Sequence, residues 1–332
     1  MKSLILDFEG DKVMDEILIV EGLKGFWRTR FGYIKAVDDV SFNMRRTEVV
    51  GIVGESGCGK STLSRLLTGA VEPPLQYIDG KVLIEGLDLY SLSPRERRKR
   101  VNGKLISLVP QSAMNALNPT KKIIDLIVDV VREHQPRCSK EEIFKIAAEK
   151  FREVGLQPDV LDLYPFELSG GMRQRAVIAI SILLNPKVVI TDEPTSALDV
   201  STQKVILNVL WRLKRMGISL IFITHDIATV RQISDRMMVM YAGKVVEIGG
   251  TESVIHDPLH PYTKALMSAV ISLEKEIREK QIKSIPGAPP DLLNPPLGCR
   301  FSPRCPYSTA ICKKKSPPLK DINGRSVACW MV

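Results

Sequence analysis

The sequence predicts an α/β fold with a parallel sheet at its centre, and three observations predict it. Three short apolar runs each lead into residues that can do chemistry. The first, Val49 to Val53, runs into GESGCGKS. The second, Val188 to Ile190, runs into Thr191-Asp192-Glu193. The third lies in ISLIFITHD and ends on His225. Short continuous apolar runs are the pattern of strands buried on both faces of a parallel sheet. Open α/β sheets place their sites at the C-terminal strand ends, where these polar residues stand.

The chain has 332 residues, room for one large domain with an appendix or for two modest domains. With 44% hydrophobic and 26% charged residues, long disorder is not expected. The start, MKSLILDFEG, has one apolar triplet before its acids, too little for an export signal. An apolar stretch such as Ile218 to Ile223 covers about 10 Å as a helix, against a hydrocarbon core of about 30 Å. A cytosolic chain is expected, where disulfides are rare and clustered cysteines read first as metal ligands. Net charge is +9, and the densest basic run is SPRERRKR, Ser93 to Arg100. No aromatics interleave it and no base-reading module accompanies it, so no nucleic-acid partner is expected. The run reads as a solvated surface loop or helix, with the anionic inner leaflet as its functional alternative.

The first element is the most specific. VVGIVGESGCGKSTL places G-x-x-x-x-G-K-S between an apolar strand and a helix-compatible stretch. Glycines let the backbone wrap an anion with N–H groups pointing inward, and the helix N-terminus adds partial positive charge. The nucleotide-binding set is Gly54, Glu55, Ser56, Gly57, Cys58, Gly59, Lys60 and Ser61, with Thr62 following. Lys60 places a full charge on the outer phosphates, and Ser61 offers Mg²⁺ an oxygen. Cys58 reads as a small side chain that fits. Its sharper reading is a thiol whose modification blocks nucleotide. The second element ends in two acids: Asp192 suits Mg²⁺, and Glu193 can orient or deprotonate an attacking water. The third places His225 beside the phosphates, as a sensor of the γ-phosphate.

Between the first two strands stands LSGGMRQR, Leu168 to Arg175. A serine and two glycines opening a helix form a second anion-binding nest. With this motif the chain resembles the ATP-binding subunits of ABC transporters, whose signature is LSGG-x-x-Q. The resemblance implies a P-loop NTPase core of the ABC type, with an antiparallel β subdomain and a helical subdomain. It implies ATP and Mg²⁺ as ligands and a head-to-tail dimer that sandwiches ATP. Leu168, Ser169, Gly170, Gly171 and Gln174 would cap the ATP of the partner subunit, and Asp199 would lie at the dimer seam. Gln111 would touch Mg²⁺, with Ser61 and Asp192, and relay to the membrane partner. The catalytic set is then Glu193, His225, Gln111 and Lys60. An aromatic would stack on adenine; Phe31 fits by its offset from Phe42, and Tyr33 is second. The expected division is a nucleotide-binding domain over 1–255, with a helical insert near 112–182, and an extension over 256–332.

The extension carries Cys299, Cys305, Cys312 and Cys329, spaced unlike zinc ribbons or bacterial ferredoxins. Cys138, upstream, reads as a spare surface thiol. GCRFSPRCP, with HPY before it, resembles the C-terminal extension of dipeptide and oligopeptide importer ATPases. That resemblance implies a [4Fe-4S] cluster on the four cysteines, with zinc as the second candidate occupant and no metal as the third. The metal would staple a tail that buries too little apolar surface to fold alone. PGAPPDLLNPP and Met172 resemble the D-type subunit. Its partners would be an F-type ABC ATPase, two membrane permeases and, indirectly, an external substrate-binding protein, at the cytoplasmic face of the membrane. Di- and oligopeptides are the expected cargo, with oligosaccharides or nickel as alternatives. A soluble ABC ATPase acting on nucleic acid or ribosomes is the rival class. It usually carries two nucleotide domains or a long coiled-coil insertion, and neither is seen here.

Overall fold

The computed structural model describes residues 15–111, 116–196, 198–274 and 285–332. Strands β1 (Glu16–Thr29) and β2 (Gly32–Arg45) form an antiparallel hairpin that turns through Arg30 and Phe31. Leu18, Val20 and Leu23 on β1 and Val37, Val40, Phe42 and Met44 on β2 are buried. Polar residues between them face out, the pattern of a sheet with one covered face. The next strand, β3 (Val49–Val53), is buried at every position and feeds helix α1 (Lys60–Thr68). β4 (Leu75–Ile84) pairs back on β1, and β5 (Leu87–Asp88) completes a four-stranded antiparallel sheet, order β2-β1-β4-β5. The basic run then forms a short helix, α2 (Pro94–Arg100). Ser93 and Glu96 cap it reciprocally, and none of its residues is buried.

From β6 (Ile106–Val109) the chain enters a helical layer: α3 (Ile123–His134), α4 (Lys140–Glu153) and α5 (Gly170–Ser181). Ile123, Ile127 and Val131 lie on one stripe of α3 and are fully buried, as the 3.6-residue period requires. The chain then alternates through β7 (Val188–Asp192), α6 (Val200–Arg215), β8 (Ser219–Ile223), α7 (Ile227–Ile233), β9 (Arg236–Tyr241) and β10 (Lys244–Gly250). The C-terminal part adds α8 (Thr251–His256), α9 (Pro261–Glu274), α10 (Ala310–Lys314), β11 (Lys320–Ile322) and β12 (Arg325–Val327). An eight-stranded sheet runs β11-β12-β10-β9-β3-β8-β7-β6. The pairs from β9 to β6 are parallel. β3, β8 and β7 are therefore neighbours pointing the same way, and their C-terminal ends bring Gly54, His225 and Asp192 to one edge.

The tail does not stand apart from this core. β12 pairs antiparallel with β10, which extends the main sheet. Phe301 is 2% exposed and packs on Tyr241, Tyr262 and His260, with ring centroids 5.2, 5.5 and 5.9 Å away. Burying Phe301 contributes about 2 kcal/mol, and the aromatic contacts add to it. The expected turn-rich appendix is thus anchored by an aromatic it inserts into the main core. Among the described residues no helix is long and apolar enough to cross a membrane.

Candidate functional site

The turn after β3 depends on glycine. Gly54, Gly57 and Gly59 have φ of 153°, 78° and 107°. A Cβ on Gly54 would lie 2.2 Å from the Met240 carbonyl oxygen, and one on Gly59 2.0 Å from that of Ala36. The loop is thus pressed against β9 and β2 so closely that no side chain fits. Lys60 opens α1, and its Nζ donates back to the carbonyls of Gly54 at 2.7 Å and Glu55 at 3.1 Å. The Cys58 side chain is 4% exposed and sits in the core, and burial pushes its thiol pKa up. It offers backbone and small volume to the loop.

Asp192 ends β7 at 3% exposure. Burial raises its carboxyl above the usual range, against the pull of a hydrogen bond from Ser61. Its Oδ1 is buried without a hydrogen-bond partner among the described residues. A buried carboxylate oxygen left unpaired beside a serine hydroxyl suits a hard cation. Ser61, Asp192 and Gln111, all oxygen donors, therefore fit Mg²⁺. Glu193 has φ of 53°, a left-handed conformation that costs about 1–3 kcal/mol. Its N–H donates to Ile223 O at 2.8 Å, and the Ser196 hydroxyl donates to its carbonyl at 2.9 Å. So held, its carboxylate reaches His225, whose Nδ1 lies 2.9 Å from Oε1 and 2.8 Å from Oε2. A carboxylate can only accept, so Nδ1 carries the proton. β8 stops at Ile223, two residues before the histidine. Asp226 caps α7 by accepting the Ala228 N–H at 2.9 Å, which turns the chain early and stands His225 on a bend.

The phosphate loop, Gln111, Glu193 and His225 share one cleft of about 680 Å³. Ser56, Gly57, Gly59, Lys60, Ser61, Thr62, Gln111, Glu193, Ser196 and His225 line it, together with Trp27, Ile34, Ala36 and Leu292. Phe31 and Tyr33, the expected adenine-stacking aromatics, do not. Thr29 pairs with Gly32, so Phe31 sits at the tip of the hairpin turn, 73% exposed. Trp27 is the aromatic that lines the cleft, its indole N–H donating to Thr62 Oγ1 at 3.0 Å. Sequence reasoning missed it by counting back from Phe42 across a hairpin whose register shifts several times. The turn signal at Gly32 could have excluded Phe31. Leu292, from the proline-rich stretch, carried no signal.

The signature residues Leu168, Ser169, Gly170, Gly171 and Gln174 lie outside this cleft. Ser169 caps α5, its hydroxyl accepting the Met172 N–H at 3.3 Å. Leu168 and Gln174 are buried, and Gly171 has no room for a Cβ, which would come within 2.6 Å of Thr202. Thr202 belongs to α6, whose cap is Asp199. The Asp199 carboxylate accepts from the Ser201 hydroxyl, from Thr202 Oγ1 at 2.6 Å and from the Thr202 N–H at 3.0 Å. These bonds hold its carboxyl well below the usual range.

All six cysteines are free thiols. The Cys299 N–H donates to Cys312 O at 2.7 Å. Burial, then charge on Cys312, Cys329 and Cys305, pushes the Cys299 thiol up to about 11. The four tail sulfurs thus share a neighbourhood. Yet among the described residues no three of His, Cys, Asp and Glu are gathered as a metal ion requires. A zinc ion with Zn–S near 2.3 Å holds its thiolates about 4 Å apart. The donor set therefore does not fit zinc as it stands.

A family model described as "ABC transporter" matches residues 37–196, and one described as "Oligopeptide/dipeptide transporter, C-terminal region" matches residues 246–312. The chain is similar to the dipeptide transport ATP-binding protein DppD of Caldanaerobacter subterraneus, 45% identical over 321 residues, 96% of this chain and 98% of that one. It is also similar to the oligopeptide transport ATP-binding protein OppF of Escherichia coli, 41% identical over 333 residues, 98% of each. A solved dimeric cassette, MJ0796, in a post-hydrolysis state bound to ADP and Pi, matches with TM-score 0.61 and 26% identity over 70% of this chain and 98% of that one. cbiO1 from Clostridium perfringens matches with TM-score 0.61 and 27% identity over 73% of this chain and 92% of that one.

Proposed function

This chain belongs to the ATP-binding subunits of dipeptide and oligopeptide ABC transporters, and from that premise we propose that it hydrolyses ATP at a seam shared with a second cassette, driving peptide uptake through separate permeases. One observation carries the mechanism: Glu193, braced by His225, lines the cleft of the phosphate loop and directly follows Asp192, whose Oδ1 is buried without a hydrogen-bond partner among the described residues. Lys60 and the loop N–H groups hold the β- and γ-phosphates. Ser61, Asp192 and Gln111 would hold Mg²⁺, which would supply positive charge against the phosphates. Glu193 accepts a proton from the attacking water, and His225 keeps that carboxylate aimed. This chain's signature turn, Ser169 to Gly171, lies outside its own cleft, so it caps the γ-phosphate held by the second cassette, whose own signature turn caps the one held here. A similar cassette is dimeric with ADP and Pi, which supports the shared seam.

The second cassette is an F-type subunit and this chain the D-type. The chain sits peripherally on the cytoplasmic side of two permeases, fed by an external binding protein. Relatives of both types resemble it at 41–45% identity, so the assignment rests on PGAPPDLLNPP and Met172. The nucleotide-binding domain covers 1–255 and the extension 256–332. Cys299, Cys305, Cys312 and Cys329 would hold a [4Fe-4S] cluster through their thiolates, and its role would be to staple the tail. Purifying the tagged chain from membranes tests the assembly. The expected result is two permeases, one F-type ATPase and Mg²⁺-dependent ATP hydrolysis stimulated by peptide-loaded binding protein. Stimulation only by nickel- or oligosaccharide-loaded protein would reassign the cargo. Anaerobic purification should give equal iron and acid-labile sulfide; zinc alone, or no metal, would remove the cluster.

A further inference from the structure

The C-terminal segment reaches the phosphate loop. Arg304 forks onto Glu55, the residue after Gly54, with Nη1 to Oε2 at 2.8 Å and Nη2 to Oε1 at 3.1 Å. Its other N–H groups are also used: Nη1 donates to Tyr241 Oη at 3.2 Å, Nη2 to Ile285 O at 3.3 Å and Nε to Pro286 O at 2.8 Å. A guanidinium has five N–H donors, and each has a partner here. The Arg304 side chain is 5% exposed. Tyr262 holds the same loop residue from its backbone, its hydroxyl accepting the Glu55 N–H at 3.0 Å. The Glu55 carbonyl in turn accepts from Lys60. Arg304 is presented by a tight turn that begins at Cys299 and ends at Cys305. The Ser302 N–H donates to Cys299 O, and the Arg304 N–H donates to Phe301 O, both at 2.9 Å.

Nothing in the G-x-x-x-x-G-K-S pattern calls for an acid at Glu55. A carboxylate in a loop that receives a polyphosphate repels its ligand, the more so where water is scarce. A bidentate guanidinium cancels that charge and fixes the loop residue in one geometry. Fixing the loop in advance also removes ordering entropy from the binding step. We propose that Arg304 is a positioning residue of the ATP site: it neutralises and pins Glu55, so that the folding of the cysteine-framed turn sets nucleotide affinity. The inference rests on the reading of the cleft as the ATP site.

The experiment is a fluorescence titration of the full chain with Mg²⁺ and mant-ATP, for wild type, R304Q, R304K and the E55Q/R304Q double variant. Thermal unfolding of each is recorded alongside. Wild type should bind. R304Q should weaken binding roughly tenfold, the usual weight of one charge-assisted contact. R304K, which keeps charge and loses the fork, should fall between them. E55Q added to R304Q should recover most of the lost affinity, because no uncancelled carboxylate remains. An arginine that only packs the tail would give no such recovery, so a double variant as weak as R304Q overturns the inference, as does wild-type affinity in R304Q. Should R304Q not fold, R304K and E55Q/R304K are compared by the same criterion. A wild-type chain that binds no mant-ATP would instead overturn the ATP-site reading beneath it.

Discussion

The phosphate loop at Gly54 to Lys60 and the signature turn at Ser169 to Gly171 both set small residues at the start of a helix, but their surroundings differ. The phosphate loop follows a fully buried strand, contains three left-handed glycines and is crossed by Lys60. Asp192, Glu193 and His225 arrive beside it on neighbouring strands. The signature turn is capped by its own serine in ordinary extended geometry and leans on Thr202 and the Asp199 cap. It lines no part of the cleft. In the proposed mechanism one region holds phosphates and the groups to cleave them, and the other holds only donors for a lid. In the proposed dimer each chain would lend its lid to its partner, so damage to the two regions should look different.

The widest separation is expected between Lys60→Ala and Ser169→Arg. Lys60→Ala should weaken mant-ATP binding to the isolated chain by roughly 10²-fold or more, since it removes the full charge aimed at the outer phosphates. Ser169→Arg should leave that binding within about twofold, yet lower hydrolysis by the assembled complex about 10²-fold, the scale of one lost transition-state donor. Equal loss of binding in both variants would break the comparison. Next in size is Glu193→Gln, which should keep nucleotide binding and slow hydrolysis by about 10²-fold or more. Wild-type turnover in that variant would remove Glu193 as the base. Smaller again is the effect at Trp27: if its ring stacks on adenine, Trp27→Ala should weaken mant-ATP roughly tenfold, as loss of a stacking platform does, whereas Phe31→Ala should change it by less than about twofold.

Local patterns were legible in the sequence, and long-range docking was not. VVGIV followed by GESGCGKS, and the acids after Val188 to Ile190, announce buried parallel strands and their site because each fact lies within a dozen residues. The shared edge of Lys60, Asp192, Glu193 and His225 follows from strand order, which such patterns constrain strongly. His225 reaches the expected cleft, but β8 ends two residues before it because Asp226 competes for the helix cap. Trp27 was missed because the β1–β2 register shifts cannot be read from spacing. The tail was read through its cysteines, its most conspicuous residues. Its strongest links to the core are Phe301, Arg300, which pairs with Asp38, and Arg304. Each of these depends on a partner more than thirty residues away, which no local period reports.

The smallest expected effect separates the two regions by acid. His260 is 1% exposed, and its Nδ1 accepts the Tyr262 N–H at 3.0 Å, which requires the neutral ring. Glu247 faces the backbone here, taking the N–H groups of Leu259 at 3.0 Å and His260 at 2.9 Å, and offers the ring no rescue. Burial lowers the histidine from 6.5 to about 3. A folded-state value below the unfolded one means that its contribution to stability is complete above about pH 6.5 and is lost as pH falls toward 3. At pH 5 the loss is about 2 kcal/mol. The wild-type Tm should therefore drop between pH 7.5 and 5, and His260→Asn should start lower and show a shallower slope. Tyr262 also holds the Glu55 N–H, so mant-ATP affinity should weaken over the same interval in the wild type and less steeply in the variant. The signature turn has no such support, so protease cleavage within α5 should not rise before the tail is released. An acid response unchanged by His260→Asn would move the sensitivity elsewhere and leave the tail a passive brace.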